Sequence, residues 1–259
     1  MSTPSSEDSL GWAALLKSNW NQRGDSPSRD FYVASHVGWQ DSEVWHQQAA
    51  VDTGMMLSEL DAGWLARAQV LEMGCGVGRL VPHLLAATDS YTGLDIAESM
   101  VEEARRRCRE QSQARFFESD GTSVPEAARD RSYDLAIALA VFIHCPKQVI
   151  ELLMRDIFAV LAPGGRLRFQ LLGDPEDSTG IEVATPDQVS VDDERGALER
   201  SEAVEASTTP VDMELIDDHY YMGHTFGYQE AGELLDGIGG EFQLKRFDLL
   251  HIYGELSKP

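Results

Sequence analysis

The sequence predicts an α/β protein built on a doubly wound, mostly parallel seven-stranded sheet. From residue 69 onward, short apolar runs alternate with stretches of helical periodicity, the pattern of a parallel sheet covered on both faces. Val70-Leu71-Glu72-Met73-Gly74-Cys75-Gly76-Val77-Gly78-Arg79-Leu80 reads as a strand ending in a turn of bare backbone, with a helix opening at Val77. Glu72, Asp95 and Asp120 place an acid near the end of each of the first three strands.

Residues 1–9 are Ser-rich and acidic and are expected to be disordered. A short amphipathic helix is expected over 10–20, followed by a turn at Ser26-Pro27-Ser28 and an extended aromatic segment over 29–35. Trp45, Ala49, Met56 and Leu60 keep helical spacing after a cap at Asp41 or Ser42. The first strand is 69–73 and its helix 77–87; the second strand is 91–94 and its helix 97–110. Strands follow at 114–118 and 133–139, then a helix with Ile150, Leu153, Ile157 and Leu161 on one stripe. Pro163-Gly164-Gly165 stops that helix before a fifth strand at 166–172. A helix at 228–235 and strands at 242–247 and 251–256 close the sheet. Between them, 174–218 is acidic with little apolar periodicity, and a loop that long within a domain is functional or disordered.

A chain of 259 residues holds one large domain, or one with a sizeable insertion. We read 1–64 as a tail and helical cap and 65–259 as the ligand-binding domain, with 174–226 inserted as an acceptor lid. The longest apolar run, 135–143, is too short to span a bilayer, and the polar, acidic start is no signal peptide. The expectation is a cytoplasmic protein, monomer or homodimer, with no membrane partner. Three scattered cysteines write neither a disulfide framework nor a metal site. Lys+Arg 21 against Asp+Glu 44 gives a net charge of −23, which repels nucleic-acid backbones. The one basic strip, Arg105 to Arg109, follows Glu102 and Glu103 at helical ion-pair spacing and reads as a solvated helix face.

Register sorts the ligands that the glycine turn fits. A dinucleotide fingerprint starting at Gly74 and Gly76 needs its third small residue at position 79, which is Arg79. No Gly-Lys-Ser/Thr follows, so the turn is no phosphate loop. Taken in order, the motifs resemble those of class I S-adenosylmethionine (SAM)-dependent methyltransferases over about residues 65–175. The turn is similar to their first motif, acid-x-Gly-x-Gly-x-Gly. Tyr91-Thr92-Gly93-Leu94-Asp95-Ile96 is similar to the second, Phe116-Phe117-Glu118-Ser119-Asp120-Gly121 to the third, and 133–140 to the fourth. Leu161-Ala162-Pro163-Gly164-Gly165 matches the loop before strand five.

The resemblance implies a Rossmann-like methyltransferase fold with sheet order 3-2-1-4-5-7-6, the seventh strand antiparallel. It implies SAM as cofactor and S-adenosylhomocysteine (SAH) as product. Glu72 would help hold the methionine end, Asp95 the ribose hydroxyls and Asp120 the adenine amine. The expected cofactor residues are Glu72, Gly74, Cys75, Gly76, Gly78, Arg79, Asp95, Ile96, Met100, Ser119, Asp120, Gly121, Leu139 and Ala140. Arg79 has two readings, a surface residue or a donor to the cofactor's carboxylate, and we prefer the second.

Transfer from a sulfonium is mostly alignment, and a thiol, amine or hydroxyl acceptor adds a need for a base. His144, a few residues after strand four, is the candidate base; its other reading is packing beside the cofactor. Tyr32, His219, Tyr220, Tyr221 and His224 are candidate substrate residues. The His219–His224 spacing matches no strong ligand pattern, so no metal is expected. The function expected is methyl transfer to a small-molecule acceptor whose atom the sequence leaves open. A protein or peptide methyltransferase and a non-catalytic SAM- or nucleoside-binding protein are the alternatives.

Overall fold

The computed structural model describes residues 9–180 and 223–259. Four helices come first: α1 (Ser9–Asp25), α2 (Arg29–Val33), α3 (Ser42–Leu57) and α4 (Ala62–Leu65). The sheet follows as β1 (Gln69–Met73), α5 (Val81–Leu85), β2 (Ser90–Asp95), α6 (Glu98–Arg107), β3 (Ala114–Glu118), β4 (Tyr133–Ala138), α7 (Lys147–Val160) and β5 (Leu161–Gly173). Past the acidic stretch come β6 (Thr225–Phe226), α8 (Tyr228–Ile238), β7 (Glu241–Lys245) and β8 (His251–Ser257).

The strands lie in the order β3-β2-β1-β4-β5-β8-β7, with β6 attached to β5. All pairs are parallel except those of β8, which runs antiparallel to both β5 and β7. Setting aside the two-residue β6, this is the expected order with its antiparallel strand. Val70, Leu71, Leu135, Ile137, Leu167 and Leu171 are fully buried, as central parallel strands with helices on both faces require. Val149, Ile150, Leu153, Met154 and Ile157 of α7 pack on one face of the sheet; Leu80, Val81, Leu84, Val101 and Ala104 pack on the other.

Local chemistry sets most of the boundaries. Asp41 caps α3 by accepting from Glu43 N and Val44 N, and Asp61 caps α4 by accepting from Trp64 N. Three expectations need correction. Residues 29–33 are not extended: they form α2, because one helical turn buries Phe31 and Tyr32 together against Trp39 and Trp45. The helix expected from Val77 begins only at Val81, because Gly74, Gly76 and Gly78 all have positive φ and keep the chain in successive turns. Pro163-Gly164-Gly165 is not a loop ahead of the strand. Leu161 already pairs with Tyr133, the register then shifts, and Arg166 pairs with Leu135.

The β5–β8 seam is tight. Gly254 pairs with Phe169, and a Cβ there would lie 2.1 Å from the Phe169 ring. Gly254→Ala is expected to lose about 1–3 kcal/mol of stability by overpacking. Urea denaturation checks this, and a variant as stable as the parent would show that the seam yields.

Candidate active site

The glycine turn is held from three sides. Gly74 N and Cys75 N both donate to Leu94 O, at 2.7 and 2.9 Å. Asp95, at the end of β2, accepts from Gly76 N at 2.8 Å through one carboxylate oxygen and from Ala97 N at 2.9 Å through the other. A Cβ at Gly74 would strike Val141 at 2.2 Å, and one at Gly78 would strike Cys108 Sγ at 2.8 Å.

Above this turn lies a cavity of about 470 Å³ between the sheet's carboxyl edge and the N-terminal helices. Of the expected cofactor residues, Gly74, Gly76, Arg79, Asp95, Ile96, Met100, Ser119, Gly121, Leu139 and Ala140 line it. His144 and Tyr32 line it too. His144 is buried on a short 3-10 helix, Phe142–His144, with its ring 5.4 Å from that of Trp20 in an edge-on arrangement.

Five expected residues lie elsewhere. Glu72 points away from the cavity and accepts from the Tyr91 hydroxyl in the core. Cys75 packs into the core and Gly78 N donates to Cys75 O within the turn, and neither lines the cavity. Asp120 is exposed and committed to its own loop, accepting from the backbone of Thr122 and Ser123 and from both their hydroxyls. Burial raises its pKa, but these bonds outweigh that and hold the carboxyl below its ordinary range. The His224 ring pairs with Glu230 at 3.0 Å and stacks edge-on against Phe226, outside the cavity wall. Its backbone bonds a cavity-lining residue, His224 N donating to Cys145 O at 3.0 Å. His219, Tyr220 and Tyr221 fall outside the described residues.

Arg79 is not a surface residue. Its guanidinium bonds Asp52 of α3 at 2.6 Å and lies 5.7 Å from the Trp45 ring centroid. Its second terminal nitrogen, Nη1, is buried with no hydrogen-bond partner among the described residues. An unmatched guanidinium N–H at a cavity wall is costly unless an anion meets it.

Sequence reasoning missed several wall residues: Leu16 and Trp20 of α1, Gln48, Asp52 and Met55 of α3, Gln170 of β5 and Tyr253 of β8. Gln170 did carry a signal, as a lone amide in the apolar run Phe169-Gln170-Leu171-Leu172. The helical contributions obey no local motif. Among the described residues, no group of three His, Cys, Asp or Glu is placed to hold a metal ion, and no helix is long and apolar enough to cross a membrane.

Residues 70–165 match the sequence profile of a methyltransferase domain. The chain is 38% identical over 116 residues to a trans-aconitate 2-methyltransferase of Variovorax paradoxus, which covers 43% of this chain and 41% of that protein. It is 32% identical over 140 residues to a magnesium-protoporphyrin O-methyltransferase of Synechocystis, covering 52% and 58%. A SAM-dependent Diels-Alderase of Talaromyces variabilis is 29% identical over 142 residues, covering 52% and 48%. The chain thus spans about half the length of the curated relatives it matches. The Synechocystis enzyme's crystal structure with bound SAH superposes with a TM-score of 0.59 at 21% identity, over 95% of this chain and 99% of that one, which shows the shared fold.

Burial shifts the two acids that flank the turn. It raises Glu72 to about 7, against the Tyr91 bond and the Arg79 charge, which pull it down. It raises Asp95 to about 6, against the backbone N–H bonds. The folded protein therefore binds protons that the unfolded chain releases. The Glu72 contribution is full below its ordinary 4.5 and is lost as pH rises through about 7. The stability difference between the parent and Glu72→Gln is expected to fall by about 2–3 kcal/mol between about pH 5 and pH 8, to the parent's disadvantage. Urea titrations at both pH values measure it, and a constant difference would show Glu72 ionised throughout.

Proposed function

We propose that this chain, whose residues 70–165 match a methyltransferase domain, is a class I SAM-dependent methyltransferase that binds SAM in the cavity above the glycine turn and methylates a small-molecule acceptor. The observation that carries this is one cavity that unites the glycine turn, the Asp95 carboxylate and the ends of β1 and β4. The residues fit the cofactor. Asp95 keeps lone pairs for ribose hydroxyls beyond its two backbone bonds, Ile96 and Met100 offer apolar contact to the adenine, and Ser119 and Gly121 edge that end. Arg79 Nη1, buried and without a hydrogen-bond partner among the described residues, suits the cofactor's carboxylate.

When bound, SAM supplies a methyl group already activated by the sulfonium. The chain's own part is to bind, align and exclude water. Leu139, Ala140, Val141 and Ile143 wall the cavity beside the glycine turn, and His144 stands among them to take a proton from an acceptor that carries one. Tyr32, on α2, lines the cavity from the opposite side, and we assign it to the acceptor. Helices α1 to α3 act as the cap over this chamber, and 174–226 is assigned to acceptor selection. Similarity to a protein named a Diels-Alderase supports a second reading, in which the bound cofactor serves another reaction.

Incubating the protein with methyl-labelled SAM and a metabolite extract separates the readings. Label in small molecules supports methyl transfer; label in protein shifts the acceptor class; SAH binding with no label favours the second reading. Calorimetry should show SAM and SAH binding and no comparable affinity for NAD; tighter NAD binding would overturn the assignment. Asp95→Ala is expected to weaken SAM binding by about 1–3 kcal/mol. His144→Ala is expected to lower kcat by about 10²–10⁴ with SAM affinity nearly unchanged, and a loss under about fivefold would leave His144 a packing residue.

A further inference from the structure

We infer that Gln170 and Tyr253 are the acceptor-orienting pair of this cavity, Tyr253 meeting the acceptor through its hydroxyl and Gln170 positioning both Tyr253 and the end of β4. The inference rests on the methyltransferase reading and adds two residues outside its sequence motifs. Gln170 sits in the middle of the sheet at 6% exposure, among leucines and phenylalanine, where an apolar side chain would pack without any bonds to satisfy. Both ends of its amide are used. Its oxygen accepts from Ala140 N at 3.1 Å, and its nitrogen donates to the Tyr253 hydroxyl at 3.3 Å.

Register places the two side by side. Gln170 of β5 is the direct partner of Tyr253 on antiparallel β8, so their side chains share one face of the sheet, and both line the cavity. Ala140 has φ +54°, a left-handed conformation that alanine holds only where its surroundings impose it. The Gln170 bond to its N–H is one such constraint. The chain runs from this clamped residue straight into the 3-10 helix that carries His144, so Gln170 also sets where the candidate base stands.

The Phe247 ring, 44% exposed, lies 6.0 Å from that of Tyr253, and Met55 lines the same cavity as Tyr253. The pair suits an acceptor with a hydrogen-bonding group, which a phenol hydroxyl meets as donor or acceptor, in a cavity that Met55, Leu139 and Ile143 also line with apolar surface.

The test uses the full-length protein and two readouts, SAH affinity by calorimetry and the initial rate of label transfer from methyl-labelled SAM into graded dilutions of the extract. Tyr253→Phe is expected to raise the extract concentration at half-maximal rate by about fivefold or more, with SAH affinity within about twofold of the parent. Gln170→Leu is expected to lower the maximal rate about tenfold at saturating SAM with SAH affinity retained. Gln170→Glu, which keeps an oxygen for Ala140 N, is expected to recover part of that rate. Parent-like saturation by Tyr253→Phe, or SAH affinity falling in step with rate in both Gln170 variants, would overturn the pair's role. A parent protein that binds SAH yet transfers no label would instead sink the methyl-transfer reading, and this inference with it.

Discussion

The structure depends on the two backbone bonds of one buried carboxylate. Asp95 closes β2, and its oxygens take the N–H groups of Gly76 and Ala97. The glycine turn, the strand and the start of the next helix are thereby fixed to one another by charge-assisted bonds in a place water barely reaches. Three of the turn's five residues, Gly74, Gly76 and Gly78, have positive φ and no side chain to hold their shape, so the turn would wander without an external anchor. Burial works against that anchor by raising the Asp95 pKa, and the N–H bonds work for it. Cavity shape and local electrostatics are thus set by the same residue.

What was legible in the sequence follows from how local the governing physics is. Strands β1 and β3 were readable to the residue, because each is a short apolar run bounded by turn residues and an acid. The glycine turn was readable because only backbone without Cβ passes Val141 and Cys108 at these distances. Residues 29–33 were misread because three bulky residues in a row favour a strand locally, while burial of Phe31 and Tyr32 among distant tryptophans decides for a helix. Asp120 shows a subtler limit. An acid after a strand serves a ligand or its own loop, and here the threonine and serine two and three residues on engage it in four loop bonds.

Arg79 shows how the cap and the sheet cooperate. Sequence placed it at the head of a helix, but the Asp52 carboxylate that orients it and the Trp45 ring beneath it come from α3, more than twenty residues earlier. A charge in the cavity wall is therefore set jointly by two parts of the chain. A pair of this kind, largely removed from solvent, holds one geometry far better than an exposed ion pair does.

The threading of β8 has a consequence for how such a molecule is assembled on the ribosome. β8 lies between β5 and β7, although β7 is made before it. Until β8 emerges, β5 has an open flank and β7 has no strand to join, so the parallel half must endure as an unfinished sheet with an exposed edge. The Gln170 amide waits through that interval without the tyrosine it will bond. The side of the chamber built on the glycine turn and Asp95 can therefore be set while the chain is still short, and the wall that carries Tyr253 is laid after it.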